Sequence, residues 1–133
     1  EKIFSSVLKI TITDKKEKID DNKIKKAIAQ AQIDNFVNDK PEGLDFVINE
    51  RGTNLSGGQI QRMAIGRSLY LDPDILILDE FTSSLDYETQ ERILNTIELL
   101  KGKKTIIVIS HNKLVSQKAD RIINLEGDIK WVH

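Results

Sequence analysis

Cysteine is absent from the 133 residues, which excludes a disulfide framework, a thiolate metal site and a cysteine nucleophile. An excess of one charge is missing too. Twenty Lys and Arg stand against 21 Asp and Glu, a net charge of −1, so nothing draws the chain as a whole to nucleic acid or anionic lipid. Any phosphate binding must come from a local site. No apolar run approaches the roughly 18 residues of a membrane span; the longest, such as Ile106–Ile109, are strand-sized. Only two prolines occur, Pro41 and Pro73, and both fall where the chain is punctuated. The first residue is Glu1, not Met, and no basic-then-apolar leader follows it, so we expect a soluble piece of a longer protein. The length suits about one domain with a core of its own.

What is present alternates between helix-like and strand-like segments. Residues 3–12 are rich in Ile, Val and Thr without a clean period and define no element. Lys15–Lys26 reads as a charged loop running into a helix capped by Asp20 or Asp21. The apolar stripe of that helix is Ile24, Ile28 and Ala31, flanked by Ala27. Pro41-Glu42-Gly43 breaks the chain before a short apolar patch, Leu44–Ile48, and Asn49-Glu50-Arg51-Gly52. Leu55-Ser56-Gly57-Gly58-Gln59 then opens a helix to about Leu71, stopped by Asp72-Pro73, because a residue before proline is pushed out of the helical region. Ile75–Leu78 is apolar at every position, which predicts an inner strand covered on both faces. A helix near Tyr87–Leu100 follows, with Ile93, Leu94, Ile97 and Leu100 on one stripe. Thr105–Ile109 is a second apolar strand and Ile122–Leu125 a third, with Gly127-Asp128 suggesting a hairpin before Ile129-Lys130-Trp131. Strand, helix, strand predicts an α/β fold with a right-handed crossover and a parallel sheet.

Chemistry gathers at three places. Gly57 and Gly58 let backbone approach a ligand, and the helix they open aims free N–H groups and a positive dipole end at that spot, where the Ser56 hydroxyl adds a donor. The arrangement suits phosphate. An ordinary helix cap explains the same residues about equally well. Asp79-Glu80 ends the Ile75–Leu78 strand, and in open parallel sheets ligands sit beyond such strand ends. Successive side chains on a strand point opposite ways, so one carboxylate is free to hold Mg²⁺ through water and the other to act on the nucleophile. A strand simply ending in solvent is the plain alternative. Ser110-His111 ends the next strand, which brings His111 to the same sheet edge.

The order of these signals is specific. LSGGQ at 55–59, an apolar strand ending in Asp79-Glu80, Ser83-Ser84-Leu85-Asp86 and then His111 resemble the ATP-binding cassette ATPases, from about Pro41 to Gly127. The resemblance implies that Ser56, Gly57, Gly58 and Gln59 belong to the signature motif, touching in trans the γ-phosphate of ATP held by a partner subunit. It implies that Ile75–Asp79 is the Walker B strand, with Asp79 on Mg²⁺, and that Glu80 is the catalytic glutamate. Asp86 closes the D-loop, a nucleotide contact, and His111 is the switch histidine. Pro41–Gly52 resembles the exporter-type members of the family, whose Glu-Arg-Gly segment lies near the coupling helices of a membrane domain. Asn49, Ile60 and Phe81 depart from the usual residues at their positions, all of them flanking the chemistry.

One part of the family pattern has no counterpart. A phosphate loop needs G-x-x-x-x-G-K-[ST] after a strand, and the near match Gly102-Lys103-Lys104-Thr105 has Ile97 in place of the first glycine and precedes a strand. It reads as a turn. The adenine-stacking aromatic and the Q-loop glutamine are likewise missing. The expectation is a partial ATPase domain, with residues 1–71 forming a helical signature subdomain and residues 72–133 the Walker B half of the catalytic core. By resemblance its ligands are ATP and Mg²⁺. Its partners are a second nucleotide-binding domain, head to tail, and a transmembrane domain on the cytoplasmic face of a bacterial inner membrane, with no nucleic acid. A soluble cassette ATPase of DNA repair or chromosome maintenance would share the signature, the acidic pair and the histidine, but not the exporter-like segment. A degenerate module using ATP only as glue is opposed by intact Glu80 and His111 but left open by the missing phosphate loop.

Overall fold

The computed structural model describes residues 6–7, 20–49 and 52–124 of the chain. Asp20 opens the first helix, α1 (Asp21–Gln30), its carboxylate accepting hydrogen bonds from the backbone N–H groups of Asn22 and Lys23. This settles the cap in favour of Asp20 and satisfies two of the donors a helix start leaves free. Ile24, Ala27, Ile28 and Ala31 form its buried face. They pack against α3 (Gly57–Leu71), where a Cβ on Gly66 would stand 3.4 Å from the Ala31 methyl, so the absence of a side chain sets how closely the helices meet. Between them in the chain comes α2 (Asp34–Asn38), with Ile33 and Val37 in the same core.

Pro41-Glu42-Gly43 leads into a 3₁₀ turn at Gly43–Asp45, and Gly43 takes a left-handed φ of +54°. Phe36 and Phe46 meet edge to face at 5.7 Å, and the Lys40 ammonium lies about 5 Å from both rings. The apolar patch that follows becomes β2 (Val47–Ile48), paired antiparallel with β1 (Ser6–Val7). The sequence pattern of residues 3–12 did not forecast that pairing. Asn54 mimics a further strand residue, donating to the Val47 carbonyl and accepting from the Asn49 N–H.

β3 (Ile75–Asp79) and β4 (Thr105–Ile109) are parallel, in register from Ile75 opposite Thr105 to Asp79 opposite Ile109, and α4 (Tyr87–Glu98) makes the crossover between them. Ile93, Leu94 and Ile97 of α4 are buried together with Leu76 and Leu78 of β3. The expectation that both faces of β3 are covered is not met. Ile75 and Ile77 are 58% and 63% exposed, because the described residues place packing only on the face of Leu76 and Leu78. The third strand is corrected as well: Ile122–Asn124 is irregular and exposed, making no ladder with β4, while Leu125 and the 127–131 hairpin lie outside the described residues.

Gly102-Lys103-Lys104-Thr105 is a turn into β4, as its sequence context indicated, with Gly102 at φ +73°. Lys104 is occupied structurally, donating to the Pro73 carbonyl at 2.6 Å and pairing with Asp72 at 2.8 Å. Asp72 ends α3 in the left-handed conformation, not the extended one usual before proline. Aspartate tolerates that region better than most residues. The last described helix is α5 (Lys113–Lys118), capped by Asn112.

Candidate functional site

The 55–59 segment is built as a capping box. Ser56 is the N-cap of α3; its Oγ accepts from the Gln59 N–H at 3.2 Å, and the Gln59 side chain accepts from the Ser56 N–H at 2.8 Å. The cap is therefore real, and it does not exhaust the site. A hydroxyl that accepts one bond still has a proton to donate, and the first N–H groups of a helix have no partner inside it. Gly57 and Gly58 pack against Ser84 of the same chain. A Cβ at Gly58 would come within 3.0 Å of the Ser84 carbonyl, while one at Gly57 would meet the Ser84 side chain only at 3.5 Å.

Gln61 joins this helix start to the loop after β3. Its Nε2 donates to Ser83 Oγ at 2.8 Å and to the Glu80 carbonyl at 3.4 Å, and its Oε1 accepts from the Ser84 N–H at 3.0 Å. The loop itself runs over buried Phe81, Thr82 and Leu85 to Asp86, the N-cap of α4. Hydrogen bonds from the Thr89 N–H and hydroxyl hold the Asp86 carboxyl below its ordinary value of 3.8. In this structure Asp86 therefore acts as an anchor of the loop's end.

Asp79 ends β3 and is exposed. Glu80 does not continue the strand alternation anticipated for the acidic pair. It takes a left-handed φ of +43° while its N–H still donates to the Ile109 carbonyl at 2.9 Å. The turn brings the Glu80 carboxylate to 4.0 Å from His111 Nε2, with the two side chains 44% and 100% exposed. Glu80 and His111 thus face each other across the carboxyl ends of β3 and β4, the sheet edge where the sequence put them.

Asp79 offers hard carboxylate oxygens of the kind Mg²⁺ selects. Among the described residues no group of three or more His, Cys, Asp or Glu is gathered to hold a metal by itself. The Asp79 carboxylate has the donor chemistry for such an ion, which would complete its oxygen shell from outside these residues.

Gln61, Thr82, Gln90 and Asn112, which tie these loops together, were not singled out from the sequence. Gln90 carried a readable signal: it falls three, four and seven residues before Ile93, Leu94 and Ile97, a polar side chain in phase with an apolar stripe.

A parallel α/β unit, a glycine-opened helix and an acid–histidine edge are arranged as the resemblance to ATP-binding cassette ATPase domains implies, and comparison with known proteins agrees. The family model described as ABC transporter matches residues 3–83. An ATP-dependent lipid A-core flippase of Cupriavidus metallidurans is 44% identical over 111 residues, which is 84% of this chain and 19% of that protein. An uncharacterised ABC transporter ATP-binding protein of Bacillus subtilis is 40% identical over 121 residues, 91% of this chain and 21% of that one. Among solved structures, a bacterial Atm1-family ABC exporter with ATP bound superposes with a TM-score of 0.78 at 34% identity, over 85% of this chain and 20% of that chain. The chain belongs to the ABC transporter family and is part of an exporter-type ATP-binding domain. It spans about a fifth of the length of the relatives it matches.

Proposed function

We propose that this chain is the signature and Walker B portion of an ATPase that couples ATP hydrolysis to movement of a substrate across a membrane. The observation that carries the reading is Glu80 opposite His111, 4.0 Å apart at the carboxyl ends of two parallel strands. Hydrolysis of the terminal phosphate asks for positioning and charge neutralisation more than covalent work. Glu80 orients and deprotonates the attacking water. His111 donates to an oxygen of the transferring phosphoryl group. Asp79 would hold Mg²⁺ through water, the ion supplying neutralisation of phosphate charge. Residues 1–71 then serve as the helical signature subdomain and residues 72–133 as the Walker B half of the core.

Ser56, Gly57, Gly58 and Gln59 present a helix start to a phosphate bound by a partner subunit, and the loop anchored at Asp86 lines the same junction. The partners are a second nucleotide-binding domain, placed head to tail, and a transmembrane domain reached through the exporter-like 41–52 segment, of which Glu50 and Arg51 lie outside the described residues. No helix among the described residues is long and apolar enough to cross a membrane. The working place of the assembly is the cytoplasmic face of a membrane.

Ser56→Arg in the full-length protein tests the trans role. A bulky cation in place of the cap hydroxyl fills the space a partner's phosphate needs, so ATP-driven association of the nucleotide-binding domains should be lost while the ATP affinity of each stays near normal. Unimpaired association would remove the signature from that role.

A further inference from the structure

Two amide side chains tie the loop after Glu80 to the loop that carries His111. Gln90 Nε2 donates to the carbonyls of Thr82 and Leu85, at 3.0 and 2.8 Å, which clamps the 82–85 loop onto α4. Gln90 Oε1 accepts from Asn112 Nδ2 at 2.7 Å, and the same Nδ2 reaches Thr82 Oγ1 at 3.4 Å. Asn112 Oδ1 accepts from the Leu114 N–H at 2.9 Å and so caps α5. Each amide is thereby oriented: an oxygen in place of Gln90 Nε2 would face two carbonyls, and one in place of Asn112 Nδ2 would face Gln90 Oε1. Thr82, two residues after Glu80, is buried under the pair, and Asn112 is bonded directly to His111.

Capping α5 needs only Asn112 Oδ1, and packing α4 needs no polar group at position 90. Together the remaining bonds tie the residue next to the exposed His111 to the loop that follows Glu80. We infer that Gln90 and Asn112 are positioning residues, acting through His111 to hold it at the spacing from Glu80 that turnover requires. This rests on the proposed roles of Glu80 and His111.

The test uses the full-length protein, with kcat and KM for ATP measured well below each variant's unfolding temperature. Asn112→Asp keeps the cap acceptor and sets an oxygen against Gln90 Oε1. Gln90→Met keeps the length and removes every bond, and it serves if the first variant does not fold. A misplacement on the order of an ångström predicts about a 10- to 100-fold fall in kcat, with KM changed less than about twofold because the group acts on the transition state. In a His111→Ala background the same substitutions should slow turnover no further, since the residue they position is gone. Wild-type kcat in both amide variants, or penalties that multiply with that of His111→Ala, would overturn the inference and leave the functional reading standing. Unchanged turnover in His111→Ala alone would overturn the functional reading itself.

Discussion

Gly57 and Gly58 are neighbours in sequence but not equivalent in what surrounds them. A methyl at Gly58 would press on the Ser84 backbone at 3.0 Å, so the loop would have to give by a few tenths of an ångström to admit it. A methyl at Gly57 would find ordinary contact distance, so contacts inside the chain do not call for glycine there, and the proposed docking of a partner's phosphate is what a methyl would disturb. Gly58→Ala should therefore lower stability by about 1–3 kcal/mol, the usual cost of overpacking. Gly57→Ala should leave stability within about 0.5 kcal/mol of wild type yet impair ATP-driven closure of the domains. Urea unfolding and a dimerisation assay on the full-length protein separate the two, and equal destabilisation by both would contradict the assignment. Glu80 shows what residue types alone do not reveal. A left-handed φ in a non-glycine residue costs roughly 1–2 kcal/mol. No local pattern signals it, because its partner, the Ile109 carbonyl, comes from a strand 29 residues further on.

Helix α3 was legible almost to the residue, since its start is a capping box and its end is Asp72-Pro73, both local signals. The stripes of α1 and α4 follow from periodicity, and the parallel pairing of β3 with β4 from the strand–helix–strand order. What escaped was mostly non-local: the two-residue pairing of β1 with β2, the bonds of Gln61 to Ser83 and Ser84, and the bond between Gln90 and Asn112, each amide bond spanning 22 or 23 residues. Uniformly apolar β3 reads as an inner strand because Ile75 and Ile77 are apolar whether or not a layer covers them. One inter-element contact yields a pH prediction. The Lys104 hydrogen bond, with its charge, holds the Asp72 carboxyl below its ordinary value of 3.8, tying the end of α3 to the start of β4. A lowered folded-state value means the stabilisation is complete above that ordinary value and disappears as pH falls through the folded-state one. The unfolding midpoint of Asp72→Asn should thus lie below wild type at pH 7 and converge with it as pH drops below the carboxylate range. A difference that persists undiminished in acid would assign the effect to packing.

The chain carries a signature, an acidic strand end and a histidine, yet no G-x-x-x-x-G-K-[ST] segment to cradle β- and γ-phosphates. The 133 residues alone should therefore show no magnesium-dependent ATP turnover above that of their own Glu80→Gln variant, and measurable turnover by the wild-type piece would contradict this. In the full-length protein the central claim is that Glu80 activates the attacking water at an edge shared with His111. Glu80→Gln preserves the shape of the side chain and removes its charge and its proton affinity, so binding and catalysis separate cleanly. The decisive measurement is ATP binding and single-turnover hydrolysis of that variant side by side with wild type. We predict retained binding, with ATP trapped between associated domains and hydrolysis slowed by about 10²-fold or more. Hydrolysis at the wild-type rate would contradict the account.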